Sequence, residues 1–153
     1  MARLKNALRG HFVAPMDPKD ATKTPAEEKW LELARGITSI GDDTDEETDD
    51  TGFYDGDGNP ETTVTSVTGA YSPEGYYDPE DPAQELIAGM KYKTGSERNL
   101  WHKVISSDGK TQTIGPATAT DIIAGAGDAT EYEDFSCTIK YNKIPTISVV
   151  TPK

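Results

Sequence analysis

Seven consecutive residues, Asp55-Gly56-Asp57-Gly58-Asn59-Pro60-Glu61, space oxygen ligands two apart, as the opening of a calcium loop does. An EF-hand loop needs Gly at its sixth position and Glu at its twelfth, with a helix on either side. Counted from Asp55 those positions are Pro60 and Ser66, and no helices are expected to flank them. A solvated acidic turn is the expectation. His11, His102 and Cys137 are the other groups with chemical potential, and no His-x-x-His or Cys-x-x-Cys spacing supports a zinc site. A Cys137–His102 nucleophile pair is formally possible. Cys137 nevertheless lies in an alternating apolar stretch, where a small buried hydrophobe is expected. Gly125-Ala126-Gly127-Asp128 lacks the third glycine of a phosphate-binding loop. Nothing singles out an acid–base pair among 27 carboxylates. The sequence assigns no catalytic residue, no metal site and no cofactor, and the chain reads as a non-enzyme.

The elements around these residues are mostly strands. Residues 30–40 carry an imperfect alternation that ends in β-branched residues, and read as a first strand. Residues 61–71 read as a second, rich in Thr and Val and polar on both faces, which suits a sheet bordering water. Strands are also expected over 98–106, 111–123, 132–141 and 144–150, with a hairpin turn at Ser107-Asp108-Gly109-Lys110. The clearest helix signal falls at 81–90. Asp81 caps it, Pro82 takes the first helical position, and Gln84 completes a capping-box pattern. Tyr71, Tyr76 and Tyr77 cluster with Pro73 and Pro79 ahead of this helix, as packing across a sheet end. The expected fold is mainly β, an antiparallel sandwich or open barrel with one short flanking helix. Two segments stand apart: an extended arm over residues 1–28, with Pro15, Pro18 and Pro25, and an acidic loop over 41–60. Residues 29–153 form a single β-domain.

Composition narrows the function classes. Apolar residues make up 34 %, low enough that part of the chain must lie outside any core. One cysteine excludes an internal disulfide. No apolar run reaches the roughly 18 residues that cross a bilayer, and the basic start has no apolar region after it, so neither a membrane span nor a signal peptide is expected. The net charge is −12, and residues 36–90 hold 15 acids with no Lys or Arg. Such a surface repels phosphates: it disfavours a nucleic-acid clamp and suits a wall that DNA passes without sticking.

The order of these features resembles the major tail tube proteins of siphophages, particularly those of phages infecting Gram-positive bacteria. The cues are the Trp30-led strand, the acidic segment 45–54 with its aromatic-Asp-Gly turn, Glu61-Thr62-Thr63-Val64, and the Asp81-Pro82-x-Gln84-x-x-Ile87 helix. They cover the first two thirds of the chain, and the last strands match in general pattern. The resemblance implies hexameric rings stacked into a tube that conducts genomic double-stranded DNA. It also implies tape measure, terminator and baseplate-side initiator partners, and a place in the virion tail after assembly in the host cytoplasm. It assigns intersubunit contacts to Phe12 and Val13 in the arm. In the loop it assigns them to Asp42, Asp43, Asp45, Glu46, Glu47, Asp49 and Asp50, with Phe53 and Tyr54 as anchors. Without basic residues nearby, the loop is expected to be mobile before assembly. The competing readings are a tube or terminator component of a related phage tail or secretion machine, and a calcium-binding β-module.

Overall fold

The computed structural model describes residues 3–17, 19–20 and 22–150. Pro18 of the expected arm therefore lies outside the described residues, as do both chain ends. Ten strands and one α-helix follow in order: β1 (Gly10–Pro15), β2 (Leu31–Glu32), β3 (Ile37–Asp42), β4 (Asp45–Gly52), β5 (Pro60–Thr68), β6 (Ala70–Tyr76), α1 (Pro82–Ala88), β7 (Asn99–Ile105), β8 (Thr111–Ala124), β9 (Asp134–Tyr141) and β10 (Thr146–Val149). Eight of the strands form one antiparallel sheet in the order β2-β1-β7-β8-β9-β6-β3, with β10 beside the first half of β8. It curls as a half-barrel around α1. β4 and β5 pair only with each other.

The strand registers place one set of side chains on the helix-facing side. Val13 pairs with His102, Leu100 with Ala117, Ala119 with Ile139, and Gly75 with Phe135, so all of these point the same way. There they meet Leu33, Ala83 and Ile87 in one buried cluster. Each fully buried large side chain in it, such as Phe135 or Ile87, contributes about 1.5–3 kcal/mol over an exposed one. The opposite side of the sheet is rich in hydroxyls. Thr118, Thr120, Ser136, Thr138 and Ser72 stand there half-exposed, with Glu74 and Lys140 among them.

The arm expectation is corrected over β1. His11, Val13 and Ala14 are buried in an interior strand between β2 and β7. A six-residue strand covered on both faces has no polar alternation to reveal it, and a proline at its end masks it further. The expected strand over 30–40 divides in two, because Gly36 turns the chain at φ +79°. Gly75 faces that turn so closely that an added Cβ would lie 2.2 Å from the Gly36 carbonyl oxygen, so only glycine lets β3 reach β6 here. β6 itself is a strand, not merely a tyrosine cluster before the helix. Pro73 falls in the gap of its pairing with β9, between Tyr71↔Ile139 and Glu74↔Ser136.

The helix forms as expected, and Asp81 caps it by accepting from the Gln84 amide at 3.4 Å. Gln84 departs from the capping box. Its side chain is fully buried, and Nε2 donates to the carbonyls of Arg35 (3.0 Å) and Tyr76 (3.1 Å) while Oε1 accepts from the Asp78 amide at 2.7 Å. Arg98 does similar work after the helix, donating to the carbonyls of Lys91, Lys93 and Ala119 and so tying that segment to β8. Replacing Gln84 by Glu keeps the shape but points an acceptor at two carbonyls. Gln84→Glu should therefore cost about 3 kcal/mol, as Gln84→Ala should. A guanidinium unfolding midpoint equal to the wild type for either variant would show that these ties do not hold the helix.

Candidate functional site

The acidic segment is not an irregular loop. Residues Asp45–Gly52 form β4, which pairs with β5 in a projecting two-stranded hairpin. Every residue of β4 is exposed, as are all of β5 except Thr68. Asp and Glu are poor strand formers, which hid β4 in the sequence. The hydroxyl-rich partner strand compensates: Thr62 donates to Asp50 at 2.6 Å and Thr65 to the Glu47 carbonyl at 3.0 Å.

A bulge gives the hairpin two unlike faces. Glu47 pairs with Ser66 and Thr48 with Val64, so Thr65 is the extra residue. The shift brings Val64 and Val67, otherwise on opposite faces, to the same side as Thr48 and Glu46. Asp45, Glu47 and Asp49 share the other side with Ser66 and Thr63. Adjacent carboxylates on that side are roughly 7 Å apart, two strand residues on. Among the described residues, no cation pairs with any of the carboxylates of β4. At the base, the Thr44 hydroxyl and then its amide bind the Asp42 carboxylate and hold its pKa below the usual range. Asp43 accepts from Ser72 and so fixes the hairpin's root to β6.

At the tip, Tyr54–Gly56 make a single 3-10 turn, and Asp57 adopts the left-handed conformation at φ 61°. This turn is where the calcium-like residues lie. Among the described residues no three His, Cys, Asp or Glu converge as a metal-binding group. Phe53 and Tyr54 stand exposed at this tip, Tyr54 completely. The loop contacts expected from sequence are thus gathered on one projecting element. Those of the arm are not: Val13 is core, and Phe12 lies 4.8 Å under the Lys103 ammonium, which Trp30 also faces at 4.8 Å. Both are used inside their own subunit.

Cys137 is buried, and desolvation pushes its thiol up to about 12, the opposite of an activated nucleophile. His102 does not serve it, but forms a 2.6 Å hydrogen bond through Nδ1 with the Tyr141 hydroxyl. His11, His102, Tyr71 and Tyr141 stack edge-on and tilted at 5.1–6.4 Å between ring centroids. This polar end of the core has no sequence signal, because its members lie on four strands far apart in the chain. Burial holds His102 down to about 3, helped by the nearby His11, and His11 to about 4, helped by Arg9.

The fold is shared with chains of solved phage-like particles. A chain from the tail of an empty gene transfer agent particle with C6 symmetry is 16 % identical and superposes with a TM-score of 0.69, covering 98 % of this chain and 100 % of that one. A chain from the virion of a native gene transfer agent particle is 15 % identical at a TM-score of 0.63, covering 92 % and 95 %. The tube-terminating cap of the anti-feeding prophage is 14 % identical at 0.55, covering 98 % and 93 %. No family model and no curated protein sequence matches the chain.

The buried histidines make the fold sensitive to acid. They are neutral when folded, whereas in the unfolded chain they take up protons near about 6.5. Stability should be full above that pH and fall as pH drops from about 6.5, down to about 4 for His11 and about 3 for His102, by at most about 1.4 kcal/mol per pH unit for each histidine. Denaturant midpoints across that window check this. A flat profile would mean that both rings protonate inside the fold.

Proposed function

We propose that this chain is the structural subunit of a bacteriophage tail tube, built as stacked hexameric rings around a channel for genomic double-stranded DNA. One observation carries this reading: the fold matches a chain of a C6-symmetric tail over 98 % of this chain and 100 % of that one. The role is mechanical, not catalytic. Its only free thiol is buried and unreactive, and its histidines serve the core.

The parts suit that role. Rings require head-to-tail contacts that close, and stacking requires a second set along the axis. Open sheet edges at β3 and β10 offer lateral joins, and the projecting hairpin reaches beyond the subunit's own sheet. The hydroxyl-rich face around Thr118, Thr120, Thr138 and Ser136 suits the bore, since tight non-specific adhesion of DNA draws on clustered lysine and arginine charge, which hydroxyls do not supply. The strongly acidic charge of the whole subunit adds repulsion along the path. Tape measure, terminator and initiator proteins would be its partners, in a tail assembled in the bacterial cytoplasm. A tube-terminating role is the second reading, favoured by the likeness to the anti-feeding prophage cap.

Negative-stain electron microscopy of the purified protein over a wide concentration range, with light scattering alongside, separates these. A tube subunit should give hollow tubes with six-fold end views, growing in length with concentration. A terminator should stop at single rings. Monomers that persist even when mixed with fragments of preformed tails would overturn both.

A further inference from the structure

We infer that His11 is an acid-operated latch on the root of the hairpin: once protonated, its ring leaves Tyr71 and turns into the cleft beside β3, and the anchorage of β4 and β5 on β6 loosens while the core stays folded. The latch belongs to the subunit and is present whether or not subunits assemble.

The curl of the sheet leaves a seam. β1 and β6 are separated along the sheet by β7, β8 and β9, yet the His11 and Tyr71 rings meet edge to face with centroids 5.1 Å apart. This contact joins strands from the two ends of the half-barrel. Elsewhere along the seam Gln84 does the joining, through the carbonyls of Arg35 and Tyr76. Beside His11 the seam stays open as a cleft of about 310 Å³, with Arg9, His11 and Glu32 on one side and Ile37, Ser39 and Ile40 of β3 on the other.

Tyr71 carries the contact to the hairpin. It pairs with Asp42, the last residue of β3, and the adjacent Ser72 donates to Asp43. The Asp43 amide in turn donates to the Ala70 carbonyl at 2.9 Å. A displaced Tyr71 therefore disturbs the base on which β4 and β5 stand.

His11 is placed so that charge decides its position. Its ring is buried, Nε2 accepts from Arg9 Nε at 3.2 Å, and Nδ1 has no partner. A proton on Nε2 removes that bond and sets two cationic donors against each other. The other facing groups are Tyr71 from β6 and His102 from β7, the latter 5.6 Å away with Tyr141 of β9 bonded to its Nδ1. None of these is a carboxylate. The carboxylates lie along the cleft instead: Glu32 lines it, and Asp42 stands at the end of β3, its pKa held down by the bonds from Thr44 and then by the nearby Arg9. An imidazolium thus has no anion where the ring now sits and has one in the cleft. Burial and then Arg9 hold the seated ring to about 4, so between about 6.5 and about 4 the turned-out ring binds more protons and opening becomes easier.

Residue-resolved amide hydrogen exchange of the full chain, with low concentrations of guanidinium as a second variable, tests this from about pH 7 to about 4.5. Protection of the Asp43 amide, relative to its intrinsic rate, should fall by up to about tenfold per pH unit below about 6.5 and stay insensitive to the denaturant, as a local opening does. The amides of the β8–β9 ladder should exchange more slowly and only through denaturant-sensitive unfolding. His11→Phe keeps a ring against Tyr71 and His11→Gln keeps an acceptor for Arg9. Neither can take up the proton, and either should flatten the acid response of Asp43. Three outcomes would overturn the latch: Asp43 protection that does not change with pH, Asp43 exchange as sensitive to denaturant as that of the ladder, or an acid response that survives in the folded His11 variants.

Discussion

A helix of seven residues cannot bury much apolar surface, so α1 depends on polar ties to hold its sheet in place. Gln84 supplies them. Its amide spans the carbonyls of Arg35 and Tyr76 and the amide of Asp78, three points on the chain segments that bring β3 and β6 together. Gly75 lies against Gly36 at the same junction, where the close approach leaves no room for any side chain. The curl of the sheet follows from these contacts. With β3 held against β6 and α1 seated, Phe135, Ile139 and Leu100 can share one core with Ile87. A buried amide with every group satisfied specifies one arrangement, where an apolar residue in its place would tolerate several.

That closed core frees the rest of the molecule for other work. β4 and β5 add nothing to the buried cluster, and a two-stranded ribbon on its own is only marginally stable in water. The hairpin persists through its ladder, its threonine–carboxylate bonds and its anchorage at Asp43 and Ser72. Among the described residues its carboxylates have no counter-charge. Both features favour a state in which a neighbour's surface supplies what is missing. The residues that build the core and those that project from it are thus different sets, and each set can change with little effect on the other.

How much of this was legible in the sequence depended on which physical signal each segment carried. β7, β8 and β9 alternate or run apolar at strand length, and all three were readable within a few residues. The helix was announced by Asp81 and Pro82. β1 was not, because both of its faces are covered and Val13 and Ala14 are buried side by side. β6 was broken up by Pro73 and Gly75, which a strand tolerates only because the pairing skips one and the fold demands the other. β4 contradicts every strand propensity, and only its long-range pairing with β5 makes it one. The acidic segment was singled out through family likeness, but the arrangement of its side chains on two faces depends on the bulge at Thr65. A bulge has no local signature in a run of threonines. The histidine–tyrosine cluster is assembled from four strands and was equally invisible.

The acidity of β4 also answers a problem that the fold creates. An exposed hairpin offers two unpaired edges, and identical subunits made at high concentration would pair through them before any ordered contact formed. Carboxylates two residues apart along β4 oppose this, because edge-to-edge pairing of two hairpins would bring two rows of like charge together. The same charges do not oppose approach to a basic surface. A single set of residues can therefore keep identical chains apart and still approach a surface of opposite charge. β10 has no such guard: Ile147 and Val149 are exposed on its edge and no carboxylate lies within the strand. Of the open edges, β10 is the one whose exposure is hardest to sustain, and so the one with most to gain from being covered.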